Sequence, residues 1–211
     1  MKTEALIEML ARGAGPAPRA VAARRLVPAA GLGLVASALL AIALIGPIPT
    51  SLYATTVPWM KLAYAGALAA SAGWLTARLA RPIGRLAVPR VVVLCVLGAM
   101  GLLGVAALMA TPSGDRLSTL LGHSWLTCPR NVFAFSLPAL AGALWAVRGL
   151  APTQLRAAGF TAGLFAGSVG ALGYALSCPE ISAAFVAVWY TLGIGLTGLL
   201  GALLGPRVLR W

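Results

Sequence analysis

Hydrophobic residues along this chain form six long runs separated by short breaks. Each run contains about 20 residues, the length an α-helix needs to cross about 30 Å of hydrocarbon. The runs are Val27–Gly46, Pro58–Ala77, Pro89–Ala110, Asn131–Val147, Leu155–Leu176 and Ala183–Leu204. The breaks contain proline, often beside glycine or cysteine, which favours a turn. The pattern predicts an all-α fold: an integral membrane bundle of six transmembrane helices over residues 27–211, preceded by a short soluble tail at residues 1–26.

The composition excludes a soluble globular domain. Of the 211 residues, 60% are hydrophobic and only 9% are charged. A soluble domain needs about a quarter of its residues charged to cover its surface. The bundle therefore has lipid rather than water around most of its surface.

The net charge of +12 is concentrated in alternate breaks and at both ends of the chain. Thirteen of the 16 basic residues fall in these segments: Lys2, Arg12, Arg19, Arg24, Arg25, Arg78, Arg81, Arg85, Arg90, Arg148, Arg156, Arg207 and Arg210. Only Lys61, Arg116 and Arg130 fall on the other side. The positive-inside rule then places both termini in the cytoplasm of a bacterial cell, with the bundle in the inner membrane. The charge indicates contacts with anionic lipid, and no direct contact with nucleic acid is expected. No small-x-small cleavage site follows the first run, so we expect no signal-peptide cleavage.

The sequence of the tail predicts a short amphipathic helix that binds either a protein partner or the membrane surface. Thr3 is a suitable N-cap, and the glycines and prolines from Gly13 to Pro18 end the helix. Ala5, Leu6, Met9 and Leu10 share one apolar face, with Ile7 on its flank and Glu4 and Glu8 opposite. About ten residues are too few to hold a helix alone in water. The helix therefore either enters a groove on a protein partner or lies on the membrane. The acidic polar face favours the partner.

Two Cys-Pro corners face outward at the start of predicted spans. Cys128–Phe135 and Cys178–Phe185 share the pattern C-P-x-x-x-x-A-F. Proline is favourable at a helix start because its missing N–H has no helical partner there. The helix dipole at that end favours a thiolate.

One interpretation of the corners is a responsive thiol pair, Cys128 and Cys178, supported by Arg130, Glu180 and His123. Thiolates suit disulfide chemistry or transient binding of a thiophilic metal ion. We expect no other cofactor. The alternatives are a permanent structural disulfide, natural in an oxidising compartment, or two unpaired buried thiols. Cys95 lies inside the third run and is predicted to be a packing residue.

Catalysis is not expected, because one histidine and four acidic residues supply too few groups for a catalytic site. Transport usually leaves ionisable residues inside the bilayer, and none falls near the middle of a predicted span. A small membrane transporter, a thiol-redox membrane protein and a purely structural assembly subunit remain as alternative functions.

Several sequence features together resemble one family. They are Lys2-Thr3 with Leu6-Ile7, six spans in about 210 residues, the Cys128 corner, Cys178-Pro179-Glu180 with Ala184-Phe185 and Trp189-Tyr190, and the ending Leu204-Gly205-Pro206-Arg207 through Leu209-Arg210-Trp211. The chain resembles the NrsF-type (negative regulator of sigma F, DUF1109-like) membrane anti-sigma factors over essentially its whole length. The resemblance implies that the cytoplasmic tail holds an extracytoplasmic-function sigma factor at the membrane. It also implies that Cys128 and Cys178 sense metal or oxidative stress.

Overall fold

The computed structural model describes residues 3–13, 20–81, 85–150 and 152–210, and within these ranges the chain is helical with no strand. The helices are α1 (Thr3–Gly13), α2 (Val21–Leu44), α3 (Thr56–Leu79), α4 (Ala87–Ala110), α5 (Arg116–Leu121), α6 (Thr127–Arg148), α7 (Leu155–Tyr174) and α8 (Ala183–Val208). Within α8, Val186–Tyr190 forms a π-helical segment. The all-α prediction is confirmed for the described residues.

Five of the described helices are long and apolar enough to cross a membrane: α2, α4, α6, α7 and α8. They coincide with five of the six predicted spans, which makes the chain consistent with a multi-pass membrane protein. The remaining predicted span, Pro58–Ala77, falls in α3. This helix has 24 residues, as α2 and α4 have. Its apolar character is diluted by Lys61 and by several hydroxyl and aromatic side chains.

Helix α7 lies at the centre of the bundle and packs against α2, α3, α6 and α8. Fifteen of its 20 residues are buried, many of them glycine or alanine. Small side chains allow neighbouring helices to approach closely on several sides, which is how helices associate in lipid. By contrast, most side chains of α2 and α4 face outward, as expected for helices in contact with lipid.

A glycine stripe joins α7 to α8. Gly159, Gly163 and Gly167 recur every fourth residue on α7, so they share one face. They meet the backbone of α8 at Gly201, Thr197 and Ile194 respectively. A Cβ atom on any of the three glycines would press against backbone atoms of α8. The α7–α8 contact is therefore a backbone-to-backbone contact along most of both helices.

Hydrogen bonds between helices fix the register of this packing. Ser136 of α6 and Thr197 of α8 pair through their hydroxyls at 2.8 Å. Tyr64 of α3 and Thr191 of α8 do the same at 2.6 Å. Ser37 of α2 donates to the carbonyl oxygen of Gly170 on α7 at 2.9 Å. Because few other polar groups lie in the core, these bonds discriminate between alternative rotations of the helices.

Candidate functional site

The two Cys-Pro corners meet at one end of the bundle. Cys128 is the second residue of α6, and Cys178 lies between α7 and α8. Cys128 is 0% exposed and Cys178 is 1% exposed, and both are free cysteines. The Cys128 thiol is close enough to act as hydrogen-bond donor to the sulfur of Cys178. The structure therefore brings together the two residues that the shared sequence pattern paired.

Several other donors surround the sulfur of Cys178. The backbone N–H of Glu180 and the hydroxyl of Tyr190 both lie near it. Tyr190 is completely buried, and its hydroxyl has no hydrogen-bond partner among the described residues. This arrangement of donors suits a negatively charged sulfur.

The same surroundings lower the pKa of the Cys178 thiol. The hydrogen bond from Cys128 is the main cause, although burial of Cys178 opposes it. The positive charge of Lys61 lowers the pKa further, ahead of the contribution of Tyr190. Cys178 is thus the more acidic thiol of the pair and the better nucleophile at neutral pH.

Lys61, on the second turn of α3, is part of this corner. It is 1% exposed, and its Nζ donates to the carbonyl oxygen of Cys178 at 2.7 Å. A lysine is almost never fully buried unless it is paired. None of the described carboxylates forms a salt bridge with Lys61. The corner itself thus provides the polar environment for this buried charge.

Glu180 fastens the turn after α5 onto the corner. Its Oε1 accepts hydrogen bonds from the backbone N–H of His123 and from the hydroxyl of Ser124, both at 2.8 Å. Trp189 of α8 adds a bond from its ring N–H to the carbonyl oxygen of Leu120 at 2.8 Å. The proposed support residues therefore behave differently: Glu180 is buried in the corner, whereas the side chains of His123 and Arg130 are exposed. Arg130 forms no salt bridge with Glu180 among the described residues.

The sulfur pair suits two kinds of chemistry. Adjacent thiols can be oxidised to a disulfide, or they can supply two soft ligands to a thiophilic ion. Within the described ranges, no group of three or more His, Cys, Asp or Glu side chains could hold a metal ion. A site of four protein ligands, as structural zinc requires, is therefore not assembled from these residues.

The tail helix α1 presents apolar side chains to its surroundings. Ile7, Met9 and Leu10 are each more than 60% exposed. The side chain of Leu6 lies outside what the structure describes. Glu8 and Arg12 pair at 2.6 Å, one turn apart on the helix. An exposed salt bridge of this kind contributes only about 0.5 kcal/mol.

Cys95 differs from its predicted role. It was expected to pack inside the bundle, but it lies on an exposed face of α4. The prediction is wrong because α4 contacts its neighbours along one narrow side and leaves the other sides free. Cys95 is thus the thiol that is separate from the corner and available as a control.

Comparison with known families covers nearly the whole chain. The family described as "Negative regulator of sigma F" matches residues 10–211. This chain belongs to the NrsF family. The match includes both cysteines of the corner, Lys61 and all the described helices from α2 to α8.

Two curated relatives align over 100% of this chain and 100% of their own length. The "Probable anti-sigma-F factor NrsF" of Azospira oryzae is 39% identical over 214 residues. The "Anti-sigma-F factor NrsF" of Caulobacter vibrioides is 38% identical over 214 residues. No solved structure matches the chain. Its membership of the NrsF family places it among regulatory proteins.

Sequence reasoning missed two residues of this NrsF corner. The sequence predicts Lys61 only as a charge on the outer side, and Tyr190 enters only through the family pattern Trp189-Tyr190. The signal for Lys61 was a lone lysine three residues inside a predicted span that starts at Pro58. No pattern in the sequence distinguishes Tyr190 from the other aromatic residues, since its role depends on where α8 meets Cys178.

Proposed function

We propose that this protein is a membrane anti-sigma factor. Residues 1–26 form a cytoplasmic tail that holds a sigma factor of the extracytoplasmic-function class at the membrane. A signal received at Cys128 and Cys178 on the periplasmic side causes its release. The observation that carries the proposal is the full-length similarity to two proteins named as anti-sigma-F factors.

The proposed topology has six spans, with α3 as the second. With six spans, both ends of the chain lie on one side of the membrane, whereas an odd number of spans would put them on opposite sides. In the six-span topology, thirteen of the 16 basic residues lie on the same side as both termini, and the positive-inside rule makes that side cytoplasmic. The supporting feature of α3 is its burial against α7, with 24 helical residues that are long enough to cross the inner membrane.

The tail is proposed to bind the sigma factor through the apolar face of α1. The exposure of Ile7, Met9 and Leu10 supports this, because exposed apolar side chains gain free energy when a partner covers them. Leu6 is included from its position in the sequence. The Glu4 and Glu8 side would remain in water.

The sensor is proposed to be the Cys128–Cys178 pair. In oxidation, the thiolate of Cys178 attacks one oxygen of a peroxide and the O–O bond breaks. The attacked oxygen stays on Cys178 as a sulfenic acid, and the other oxygen takes a proton from solvent and leaves as an alcohol or water. The Cys128 thiol then attacks that sulfur, an S–S bond forms and water leaves. In metal binding, both thiols lose their protons and the two sulfurs hold one thiophilic ion transiently. Either event changes the spacing of the two corners, which in turn changes how α6 and α8 meet.

The tail is tested by capture of the cognate sigma factor with the full-length protein in detergent. Leu6→Glu and Leu10→Glu place charge on the apolar face and should weaken capture on the order of tenfold or more, as loss of a central apolar contact does. Glu4→Gln, on the opposite side of the helix, is the matched control and should bind normally. Undiminished capture by both Glu variants would remove the helix-in-groove proposal.

The sensor is tested with a sigma-dependent reporter in cells exposed to cadmium, chromate or peroxide. Cys128→Ser and Cys178→Ser should each reduce induction, while Cys95→Ser should respond as the wild type does. Normal induction in both corner variants would eliminate the sensor assignment and leave the tail proposal standing.

A further inference from the structure

Lys61 is a buried cation whose only hydrogen-bond acceptor among the described residues is the carbonyl oxygen of Cys178. The distance of 2.7 Å is short, as expected when the donor is charged. Lys61 belongs to α3, whereas Cys178 belongs to the connection between α7 and α8. This one bond thus joins the sensor corner to a helix that carries neither cysteine.

The bond makes the position of Cys178 costly to change. A buried ammonium that loses its acceptor is left without compensation in an apolar interior. Removing one partner of such a pair is strongly unfavourable, even where the pair itself adds little stability. Lys61 therefore opposes any rearrangement that carries the Cys178 carbonyl away from α3.

The other described hydrogen bonds of this connection lead to other parts of the bundle. The backbone N–H of Ile48 donates to the carbonyl oxygen of Leu176 at 3.0 Å. The buried carboxylate of Glu180 bonds, among the described residues, to the turn that follows α5. The Lys61 bond is thus the described hydrogen bond that joins Cys178 itself to α3.

We propose that Lys61 is a positioning residue: it holds the Cys178 corner in its resting place and sets the threshold at which the corner moves. This inference rests on the proposed sensor function. It identifies the hydrogen bond from Lys61 to Cys178 as the contact that must break when the two cysteines change their spacing.

The decisive variant is Lys61→Met, which keeps the length of the side chain and removes both charge and donor. Two quantities are measured on the same cells: the resting activity of the sigma-dependent reporter, and the rate at which a small thiol reagent modifies Cys178 in their membranes, followed by mass spectrometry of its peptide. Because loss of the Lys61 charge also reduces the thiolate fraction of Cys178, the rate is taken at its high-pH plateau, where the thiol is ionised in both proteins. We expect this plateau rate to rise. We also expect the resting reporter to rise by about fivefold or more, the range of a typical coupling between two sites, while both corner thiols stay reduced.

Arg116→Met is the matched control. It removes a positive charge from the same proposed side of the membrane, but Arg116 is exposed, and its side chain bonds among the described residues to the carbonyl oxygen of Thr111. It should change neither quantity. If Lys61→Met does not accumulate in the membrane, the same measurements are made on Lys61→Gln, which keeps a donor and loses the charge.

An unchanged modification rate of Cys178 overturns the positioning role. An unchanged resting reporter, with normal amounts of protein in the membrane, overturns the threshold role. Neither result depends on the response of Cys128→Ser and Cys178→Ser to inducers, so failure of this inference and failure of the sensor proposal are distinguishable.

A second inference comes from a different observation, at the other end of the bundle. A cleft of about 820 Å³ lies between the start of α7 and the end of α8. Arg156, Arg207 and Arg210 surround it, and Ala202, Leu203 and Pro206 complete its lining. None of the three arginines forms a salt bridge with a described carboxylate. The cleft thus combines positive charge, with no described carboxylate paired to it, and an apolar wall at the end of two membrane-length helices.

We infer that this cleft binds the headgroup of an anionic phospholipid. The arginines match the phosphate and the apolar wall matches the first carbons of the acyl chains. Its position at the end of the membrane-length helices favours a lipid over a soluble anion.

The test is native mass spectrometry of the full-length protein released from nanodiscs that contain phosphatidylcholine with phosphatidylglycerol. We expect the wild type to retain phosphatidylglycerol preferentially and the triple variant Arg156→Gln, Arg207→Gln, Arg210→Gln to lose that preference. A variant with three arginines of the α3–α4 side replaced (Arg78→Gln, Arg81→Gln and Arg85→Gln) loses the same charge elsewhere and should keep it. Equal loss in both variants, or displacement of the lipid by millimolar inorganic phosphate, overturns the inference.

Discussion

The glycine stripe between α7 and α8 predicts that the same substitution will have different effects at two positions on one helix. At Gly201, a new Cβ would press on the carbonyl oxygen of Gly159 and lie 3.1 Å from the Cα of Gly163. Ordinary contacts of a Cβ begin at 3.4 Å. At Gly195, six residues earlier, a new Cβ meets nothing within 4 Å. Both positions lie within α8, so helix propensity affects Gly201→Ala and Gly195→Ala alike.

The magnitude follows from comparing these two variants. Replacing glycine by alanine within a helix gains up to about 1 kcal/mol at either position. At Gly201, the added methyl group forces α7 and α8 apart. A gap of about 0.5–1 Å forfeits a quarter to a half of the dispersion energy of each contact. Overpacking of this kind costs about 1–3 kcal/mol. Because the propensity gain cancels in the comparison, the free energies of unfolding of the two variants should differ by about 1–3 kcal/mol.

The assay is reversible unfolding of the purified protein by SDS in mixed micelles, followed by tryptophan fluorescence. Gly195→Ala should unfold at the same or a higher SDS fraction than the wild type, whereas Gly201→Ala should unfold at a lower one. If both variants shift equally, close backbone contact between α7 and α8 does not hold the bundle together, and the packing account given for the stripe is incorrect.

Two further predictions concern the sensor corner. Gly122 has φ +58° and a new Cβ there would lie 2.5 Å from Oε2 of Glu180, so Gly122→Ala should destabilise this turn by about 1–3 kcal/mol. In membranes whose proposed periplasmic side is accessible to trypsin, cleavage after the exposed Arg116 should then be faster. Gly114→Ala, where the new Cβ has open space, should leave the rate of cleavage unchanged. The lowered pKa of the Cys178 thiol predicts that its rate of modification by a small thiol reagent reaches half of its maximum at a lower pH in the folded protein than in the same chain unfolded. Cys128→Ala should move that midpoint upward, because it removes the main cause of the lowering; a folded midpoint at or above the unfolded one would contradict the arrangement of donors around Cys178.

Much of the fold could be predicted because a membrane helix is specified by the hydrophobicity of one continuous stretch of sequence. An apolar run of about 20 residues has few alternatives to a spanning helix in lipid. The limits of the runs differ from those of the helices. Helix α2 begins at Val21 rather than Val27, because the helix includes Arg24 and Arg25, which an apolar run excludes. Which helix becomes central could not be predicted, because it depends on how the small residues of α7 match several partners at once.

The site was predictable only in part, for a related reason. The repeated C-P-x-x-x-x-A-F pattern indicated that Cys128 and Cys178 are equivalent, and the structure places them side by side. The groups that surround them come from α3 and from the π-helical segment of α8. Lys61 and Tyr190 have no repeated pattern, and their roles exist only because those helices converge on the corner. Arg130, which follows one of the cysteines directly, is exposed, so proximity in sequence was a poor guide.

The position of α8 explains how an event at the corner could reach the other end of the bundle. Its first turns contact the corner through Trp189 and Tyr190, and the remainder is fixed to α7 by the glycine stripe. A rigid stripe would transmit a displacement along α8 rather than absorb it, and the π-helical segment Val186–Tyr190 lies between the stripe and the start of the helix. Converting a mostly bound sigma factor to a mostly free one requires about 5 kcal/mol of preference between two arrangements. A disulfide typically contributes about 2–4 kcal/mol, so oxidation alone falls short unless the resting arrangement is held only weakly. The buried bond from Lys61 to the carbonyl oxygen of Cys178 stabilises the resting arrangement, so it adds to the free energy that the signal must supply. Lys61→Met should therefore lower the preference that oxidation has to provide.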